Sequence, residues 1–246
     1  LYFNNFKELF IHFYGTVVLQ RITNVLVADS AFSKKPFIDN MLGIGFNVVS
    51  RLRHDAALYY LWEGDPTGKP GRPRVKGEKI DFKNIDKSKV AILDTDESNG
   101  QVYALKAWCK SLHRKISLVI HILPKGGHRL YFSTDESMSG RDVMEYYCTR
   151  FQIEFCFRDA KQFVGLTDSQ ARDTRKLDFA FNSSFTAVNV AKIMCSEYNL
   201  SIGRLKALII NTYYAQRIID VFENNPNTQL NHEIVNEIFG FAADAA

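Results

Sequence analysis

The segment from residue 24 to residue 49 constrains the fold most strongly, because it predicts a strand, a helix and a second strand in close succession. Its first part, NVLVAD, is a short apolar run that ends on Asp29, which indicates a buried strand with a carboxylate at its carboxyl end. Ser33 is the predicted N-cap of the helix, and Phe46 to Val49 form the second strand. Such a unit is typical of α/β proteins, in which functional groups often lie at the carboxyl ends of strands.

The middle of the chain differs from its start in composition and apolar pattern, and residues 53–128 are predicted to be mostly β. Glu63 to Lys79 is dense in glycine, proline and charge, which is typical of a loop. Apolar and alternating runs predict four strands, the last two joined as a hairpin, at 89–93, 101–108, 116–123 and 129–134. We interpret residues 53–128 as a β-rich insertion in an α/β core.

The last part of the chain predicts helices. One begins at Ser139, which resembles a capping box with Asp142, and extends to Gly165. Further helices are predicted at 179–198, 202–222 and 230–239. Four domains are predicted. Residues 1–52 are the second part of an α/β core, and 53–128 are the β-rich insertion with its basic loop. Residues 129–178 are the last core strand with its helix, and 179–246 are a carboxy-terminal helical region.

Four polar residues of the helix predicted from Ser139 share one face. Tyr147, Arg150, Glu154 and Lys161 are three, four and seven residues apart. At 3.6 residues per turn their side chains fall within a stripe of about 60°. A phenol, a guanidinium, a carboxylate and an ammonium in one line predict a surface that holds a metal ion and phosphates together.

The composition argues against a membrane protein and is compatible with a protein that binds a polyanion. The chain has 246 residues, 46% of them hydrophobic, yet contains no apolar run near the length of about 20 residues that a membrane helix needs. Its four cysteines show no C-x-x-C spacing, which favours free thiols in a reducing cytoplasm. The net charge is only +4, but basic residues, including Arg72 and Arg74, cluster between Asp65 and Lys79, as in proteins that bind polyanions.

These motifs carry a resemblance to a known family. Tyr147-x2-Arg150-x3-Glu154-x6-Lys161, with its flanks FQIEFCFRDAKQFVGL, is similar to the Y-R-E-K signature of bacterial insertion-sequence transposases of the "IS-four" group. LVADSAF, FNVVSRLRHDAALY and the GRPRVKG loop resemble the same family. The resemblance covers residues 25 to about 175. It implies a partial RNase H-like DDE transposase core of α/β class, with a mostly β insertion and carboxy-terminal helices.

The resemblance also implies roles. Asp29 and Glu154 would be catalytic carboxylates that bind Mg²⁺ or Mn²⁺, and Tyr147, Arg150 and Lys161 would contact DNA phosphates. The partners would be double-stranded DNA, at the element ends and the target, and a second copy of the chain, with no membrane. The expected location is the bacterial cytoplasm, on the nucleoid when DNA is bound.

Two basic residues and two tryptophans have weaker expected roles. Arg72 and Arg74, in Gly71-Arg72-Pro73-Arg74, resemble a basic element that enters an A·T-rich minor groove, with a flexible basic loop as the alternative. Trp62 and Trp108 are expected in the core, although either is able to stack on an extruded base.

The assignment of the other carboxylates stays open. Asp29 precedes a helix, a context that in this core belongs to the second carboxylate, so the first is expected upstream of Leu1 and the fragment alone is expected to be inactive. In the competing assignment Asp29 is the first carboxylate and Asp135 the second, although a capping or loop role suits Asp135 better. Two further alternatives remain: a catalytically dead, transposase-derived DNA-binding module, and an RNase H-like nuclease without strand transfer.

Overall fold

The computed structural model describes residue 8 and residues 20–64, 73–94 and 100–224. Within these ranges the chain is a mixed α/β protein that divides into two compact units, one ending at Phe151 and one beginning at Gln152. The strands are β1 (Val25–Val27), β2 (Asn47–Leu52), β3 (Leu58–Leu61), β4 (Lys76–Lys79), β5 (Ala91–Asp94), β6 (Gln101–Cys109), β7 (Arg114–Ile122) and β8 (His128–Ser133). The α-helices are α1 (Lys35–Gly43), α2 (Gly140–Cys148), α3 (Phe151–Phe163), α4 (Thr174–Tyr198) and α5 (Ile202–Asn224), and 3-10 helices cover Ser30–Phe32 and Lys87–Lys89.

The predicted strand–helix–strand unit is confirmed. β1 and β2 are parallel, with Val25 opposite Asn47 and Val27 opposite Val49, and α1 lies between them in the chain. The predicted N-cap is wrong, because α1 begins at Lys35 with Lys34 at the N-cap position. The Ser33 hydroxyl instead donates to the backbone carbonyl of Arg51 at 2.9 Å, so it fastens the loop to β2 and does not cap the helix.

The strands form one continuous sheet in the order β1-β2-β8-β7-β6-β3-β4, with β5 also paired to β6. All pairs except β1–β2 are antiparallel. The predicted hairpin is confirmed as β7 and β8, from Ser117 opposite Ser133 to Ile122 opposite His128. Strands of the segment interpreted as an insertion therefore share a sheet with β1, β2 and β8; the four domain boundaries stay a prediction.

The prediction that Glu63 to Lys79 is entirely loop is wrong at its end, where β4 pairs with β3. The backbone N–H of Trp62 donates to the carbonyl of Val75 at 2.9 Å, which closes the two strands together. Gly77 permits the approach, because a Cβ there would lie 3.1 Å from the carbonyl oxygen of Leu61. Backbone pairing at a sheet edge does not require an apolar pattern, so the charged sequence KGEK gave no strand signal.

Apolar side chains are packed on both faces of the sheet. On one face Phe37, Ile38 and Met41 of α1 belong to the core that includes Val48 and Leu118 of the sheet. On the other, Val143 of α2 packs with a cluster from β2, β7 and β8 made of Val49, Val119 and Tyr131. Burial of this apolar area contributes about 25 cal/mol per Å² to folding, so the sheet region is a well-supported frame for groups at its strand ends.

The single helix predicted from Ser139 to Gly165 is wrong, because the structure has two helices, α2 and α3, separated by Thr149 and Arg150. The N–H groups of Thr149 and Arg150 bond to carbonyls three residues back, those of Tyr146 and Tyr147, which tightens the last turn. The Thr149 hydroxyl donates to the Tyr146 carbonyl at 2.7 Å, a side-chain bond that competes with helix propagation. The predicted start is confirmed, since the Ser139 hydroxyl accepts from the Asp142 N–H at 3.1 Å.

The second unit is helical in the part described. Helix α4 begins earlier than predicted, since Asp173 caps it by accepting from the N–H groups of Arg175 and Lys176. It ends at Tyr198, and the C-cap residue Asn199 adopts a left-handed conformation with φ of 51°, which allows the chain to turn into α5. The helix predicted at 230–239 lies outside the described residues.

Candidate active site

Asp29 follows β1 after one intervening residue, Ala28, and immediately precedes the first 3-10 helix, so it lies at the end of the strand, as the sequence predicts. Its carboxylate accepts a hydrogen bond from the Ser30 hydroxyl at 2.9 Å, and its side chain is 55% exposed. The hydrogen bond from Ser30 lowers the pKa of Asp29, with help from the backbone N–H groups of Ala31 and Ser30 and from the charge of Arg150. Asp29 is therefore an accessible, ionised carboxylate at neutral pH.

Arg150 lies beside Asp29 in the turn between α2 and α3. Its Nη1 is 3.5 Å from Oδ2 of Asp29, and its side chain is only 18% exposed. The guanidinium carbon lies 4.6 Å from the ring centroid of Phe151 and 5.9 Å from that of Tyr147. A partly desolvated guanidinium held between a carboxylate and aromatic faces is a fixed, strong donor for an anionic oxygen.

Tyr147 lies at the end of α2 with its ring against Tyr131 of β8, at a centroid distance of 4.8 Å. Burial raises the pKa of Tyr147, while the positive charges of Arg51 and Arg150 oppose that shift. The phenol is therefore protonated at neutral pH and able to donate a hydrogen bond next to a cationic group.

Tyr131 and Ser30 have contacts at this site that the sequence did not indicate. Tyr131 lies opposite Arg51 in the β2–β8 register, and its ring contacts that of Tyr147. Ser30 was detectable in principle, because a serine next to a candidate carboxylate often bonds to it.

The prediction of one stripe of four residues on one helix is wrong. Tyr147 lies on α2, Arg150 in the following turn, and Glu154 and Lys161 on α3, because the helix ends at Cys148. Glu154 and Lys161 are exposed and seven residues apart on α3, so they share one face of that helix. The structure brings Asp29, Tyr147 and Arg150 together in the first unit and places Glu154 and Lys161 in the second.

Asp135, the competing candidate, occupies a turn after β8. Its carboxylate accepts bonds from the N–H and hydroxyl of Ser137, at 2.8 and 2.6 Å. The hydroxyl bond is the main cause of its lowered pKa. Asp135 lines a surface cavity together with two further acidic residues, Asp142 and Glu145. Its hydrogen bonds are those of a turn that leads into α2, the role that the sequence favours for it.

Residues 14–190 match the model of a family described as "Transposase DDE domain". This range is well over half of the 246 residues. The chain belongs to this family. Its function is therefore of the transposase type, and the matched range includes Asp29, Tyr147, Arg150, Glu154 and Lys161. No curated protein matches the chain.

The transposase domain carries a further pair of contacts on its β3–β4 hairpin. The Arg74 guanidinium lies 3.9 Å from the centroid of the Trp62 ring, and its Nε donates to the Lys76 carbonyl at 3.2 Å. Trp62 is 37% exposed, so the expectation that it is a core residue is wrong. Trp108 is half-buried on β6. Arg72 lies outside the described residues.

The donor types in this transposase domain suit a hard divalent cation, because Asp29 offers an ionised, accessible carboxylate. Among the residues that the structure describes, no group of three or more His, Cys, Asp or Glu side chains is arranged to hold a metal. The described cysteines Cys109, Cys148, Cys156 and Cys195 are free thiols, as predicted. In the same ranges, no helix is both long and apolar enough to cross a membrane.

Proposed function

We propose that the chain is the catalytic part of an insertion-sequence transposase that cuts and rejoins DNA by metal-dependent phosphoryl transfer. The observation that carries the proposal is the grouping of Asp29, Tyr147 and Arg150 at the carboxyl end of β1. A carboxylate next to a guanidinium and a phenol suits a site that holds both a cation and a phosphate. Membership of the transposase family supports the same conclusion.

The proposed fold of the core is RNase H-like. Support comes from the parallel β1–α1–β2 unit, in which Asp29 follows the first strand, and from the antiparallel strand β8 beside β2. In such a frame the strands fix the position of the carboxylate while the helices supply the other polar groups. The Y-R-E-K group of transposases remains the proposed branch of the family.

Each site residue has a proposed role. Asp29 and Glu154 would hold Mg²⁺ or Mn²⁺, which supplies charge stabilisation for the attacking and leaving oxygens of the phosphoryl transfer. Arg150 and Lys161 would contact phosphate oxygens near the scissile bond, and Tyr147 would donate one hydrogen bond to the same backbone. These contacts fix the position of the DNA and do not read its sequence.

The β3–β4 hairpin is proposed as a second DNA contact. Arg72 and Arg74 would bind the minor groove, with Arg74 oriented by the Trp62 ring on which it lies. The partners of the whole protein would be the element ends, the target DNA and a second copy of the chain, in the bacterial cytoplasm.

The test is cleavage and joining of duplex DNA that carries the ends of the element. The protein, with whatever sequence precedes Leu1 in its gene, is incubated with labelled duplex and Mg²⁺ or Mn²⁺. We expect nicking and strand joining that are both lost in Glu154→Gln and kept in Glu145→Gln, the control on α2. Equal loss in both variants would contradict the role of Glu154.

A second candidate is a DNA-binding module without catalysis. The same assay separates the candidates, since binding without nicking indicates the module. Hydrolysis without joining indicates instead a nuclease with the same core.

A further inference from the structure

A cavity of about 510 Å³ lies in the first unit next to Asp29. Three segments that are distant in sequence line it: the stretch from the first 3-10 helix to the start of α1, the end of β2 with the turn that follows it, and the turn between β6 and β7. Its polar lining is basic and rich in hydroxyl groups, and includes Ser30, Ser33, Lys34, Lys35, Arg53 and Ser111. Asp55 is the acidic residue of the lining.

The three cations of the cavity are not equivalent. Lys35 forms an ion pair with Asp39, which also contacts Arg114, and Arg53 pairs with Asp55 at 3.1 Å. Lys34 is exposed and has no acidic partner among the residues that the structure describes. Lys34 therefore offers an uncompensated ammonium, whereas the charges of Lys35 and Arg53 are already partly satisfied.

The hydroxyl groups of the cavity also differ in how strongly they are bound to a partner within the protein. Ser33 is committed to β2 through its bond to the Arg51 carbonyl. Ser111 lies 3.3 Å from the Cys109 sulfur, a weak partner, so its hydroxyl is able to turn to a better acceptor. Ser30 lines the cavity and also donates to Asp29, so the cavity and the candidate active site share one residue.

We propose that this cavity binds a phosphate of the DNA backbone, with Lys34 as its main contact. The inference rests on the proposed function and adds to it a phosphate subsite next to the candidate catalytic carboxylate. A basic, hydroxyl-lined cavity disfavours a cation and an apolar ligand and suits the oxygens of a phosphodiester. Such a contact fixes the position of the DNA and carries no sequence information.

The test is the salt dependence of DNA binding. Binding constants for a labelled duplex are measured by fluorescence anisotropy at several salt concentrations, for the unaltered protein and for Lys34→Gln, Lys34→Arg and Lys125→Gln. Loss of one phosphate contact lowers the slope of log K against log salt by about 0.9. We expect that change in Lys34→Gln, with a loss of affinity of about tenfold, a near-normal slope in Lys34→Arg, and no change in Lys125→Gln, an exposed lysine of a turn.

The outcomes are distinguishable. An unchanged slope in Lys34→Gln, with a melting temperature like that of the unaltered protein, overturns the phosphate subsite alone. A loss that depends on the duplex sequence also overturns it, because a backbone contact acts on every duplex. Thermal stabilisation by inorganic phosphate that is lost in Lys34→Gln, with the DNA slope unchanged, assigns the cavity to free phosphate and overturns the DNA assignment. Failure of the unaltered protein to bind duplex DNA overturns the proposed function itself.

Discussion

The turns that follow β1 and β8 are closely matched in local chemistry and differ in their surroundings. Each places an aspartate after a strand, and each aspartate accepts a hydrogen bond from a nearby serine: Asp29 from Ser30 at 2.9 Å, Asp135 from Ser137 at 2.6 Å. In both cases that bond is the main cause of a lowered pKa. The local sequence therefore does not distinguish the carboxylate that we propose as catalytic from one in a structural turn.

The neighbours in space distinguish them. Asp29 lies 3.5 Å from Arg150, and Tyr147 adds a phenol to that group. Asp135 shares its cavity with Asp142 and Glu145, whose negative charges would repel a phosphate. We therefore expect a DNA backbone to bind at the turn after β1 and not at the turn after β8.

The largest expected effect comes from exchanging each carboxylate for an amide. Asp29→Asn is expected to slow cleavage by about 10³-fold or more, about 4 kcal/mol of barrier, because it removes the charge of a carboxylate that we propose binds the metal. Asp135→Asn is expected to change the rate less than threefold. The measurement is single-turnover cleavage of labelled duplex with Mg²⁺. Comparable losses in both variants would restore the assignment of Asp135 to the catalytic set.

The next-largest effect is expected at Arg150, whose position beside Asp29 distinguishes the turn after β1 from the turn after β8. Arg150→Ala is expected to weaken duplex binding by about 10- to 100-fold, because a charge-assisted hydrogen bond contributes about 1.5–3 kcal/mol. Arg141→Ala, a change at an exposed arginine of α2, serves as the control and is expected to leave binding within about twofold. Anisotropy titrations at constant salt measure both. Equal weakening in the two variants would show a general charge effect and remove the specific role of Arg150.

The sequence predicted the elements of this site better than their assembly. Apolar runs with clear ends predicted β1, α1 and β2, and the position of Asp29 followed from them. The contact between Tyr131 and Tyr147 was not predictable, because it depends on the pairing of β8 with β2, which are some eighty residues apart in the chain. Pairing of that kind is fixed by tertiary packing and not by local propensity.

The division between α2 and α3 shows a different limit. The helical spacing of residues continues through 139–165. It therefore predicts a single helix with the four polar residues in one stripe on its surface. A hydroxyl bond from Thr149 to the Tyr146 carbonyl and two i to i−3 backbone bonds end α2 instead. Local hydrogen bonds at Thr149 and Arg150 thus accompany the end of α2, although nothing in the hydrophobic pattern marks the position.

A smaller effect is expected from the serines that bond to the two carboxylates. Ser30→Ala and Ser137→Ala each remove a hydrogen bond to a charged group and are expected to lower the free energy of unfolding by about 1 kcal/mol at neutral pH. Ser30→Ala should also slow cleavage a few-fold, since Ser30 orients Asp29, whereas Ser137→Ala should leave the rate unchanged. Denaturant titrations and the cleavage assay are made on the same preparations. Slower cleavage in Ser137→Ala would contradict the separation of the two turns.

The smallest effect is expected in the dependence of stability on pH. A folded-state pKa below the ordinary value of 3.8 means that each aspartate contributes stability that is fully present above pH 3.8 and is lost as the pH falls through the folded pKa. Both side chains contact solvent, so screening reduces the contribution. Asp29→Asn and Asp135→Asn should each make the free energy of unfolding fall less steeply as the pH is lowered from 3.8 through the folded pKa.

This last measurement tests whether the two turns share their chemistry when DNA is absent. If hydrogen bonds from serine dominate both shifts, the two amide variants should flatten the pH dependence by similar amounts in denaturant titrations. High salt should change that result little, because short hydrogen bonds are screened less than longer-range charge interactions. A pH dependence that flattens only in Asp29→Asn, and only at low salt, would instead assign the shift to Arg150. The two turns would then differ in their electrostatics before any DNA binds.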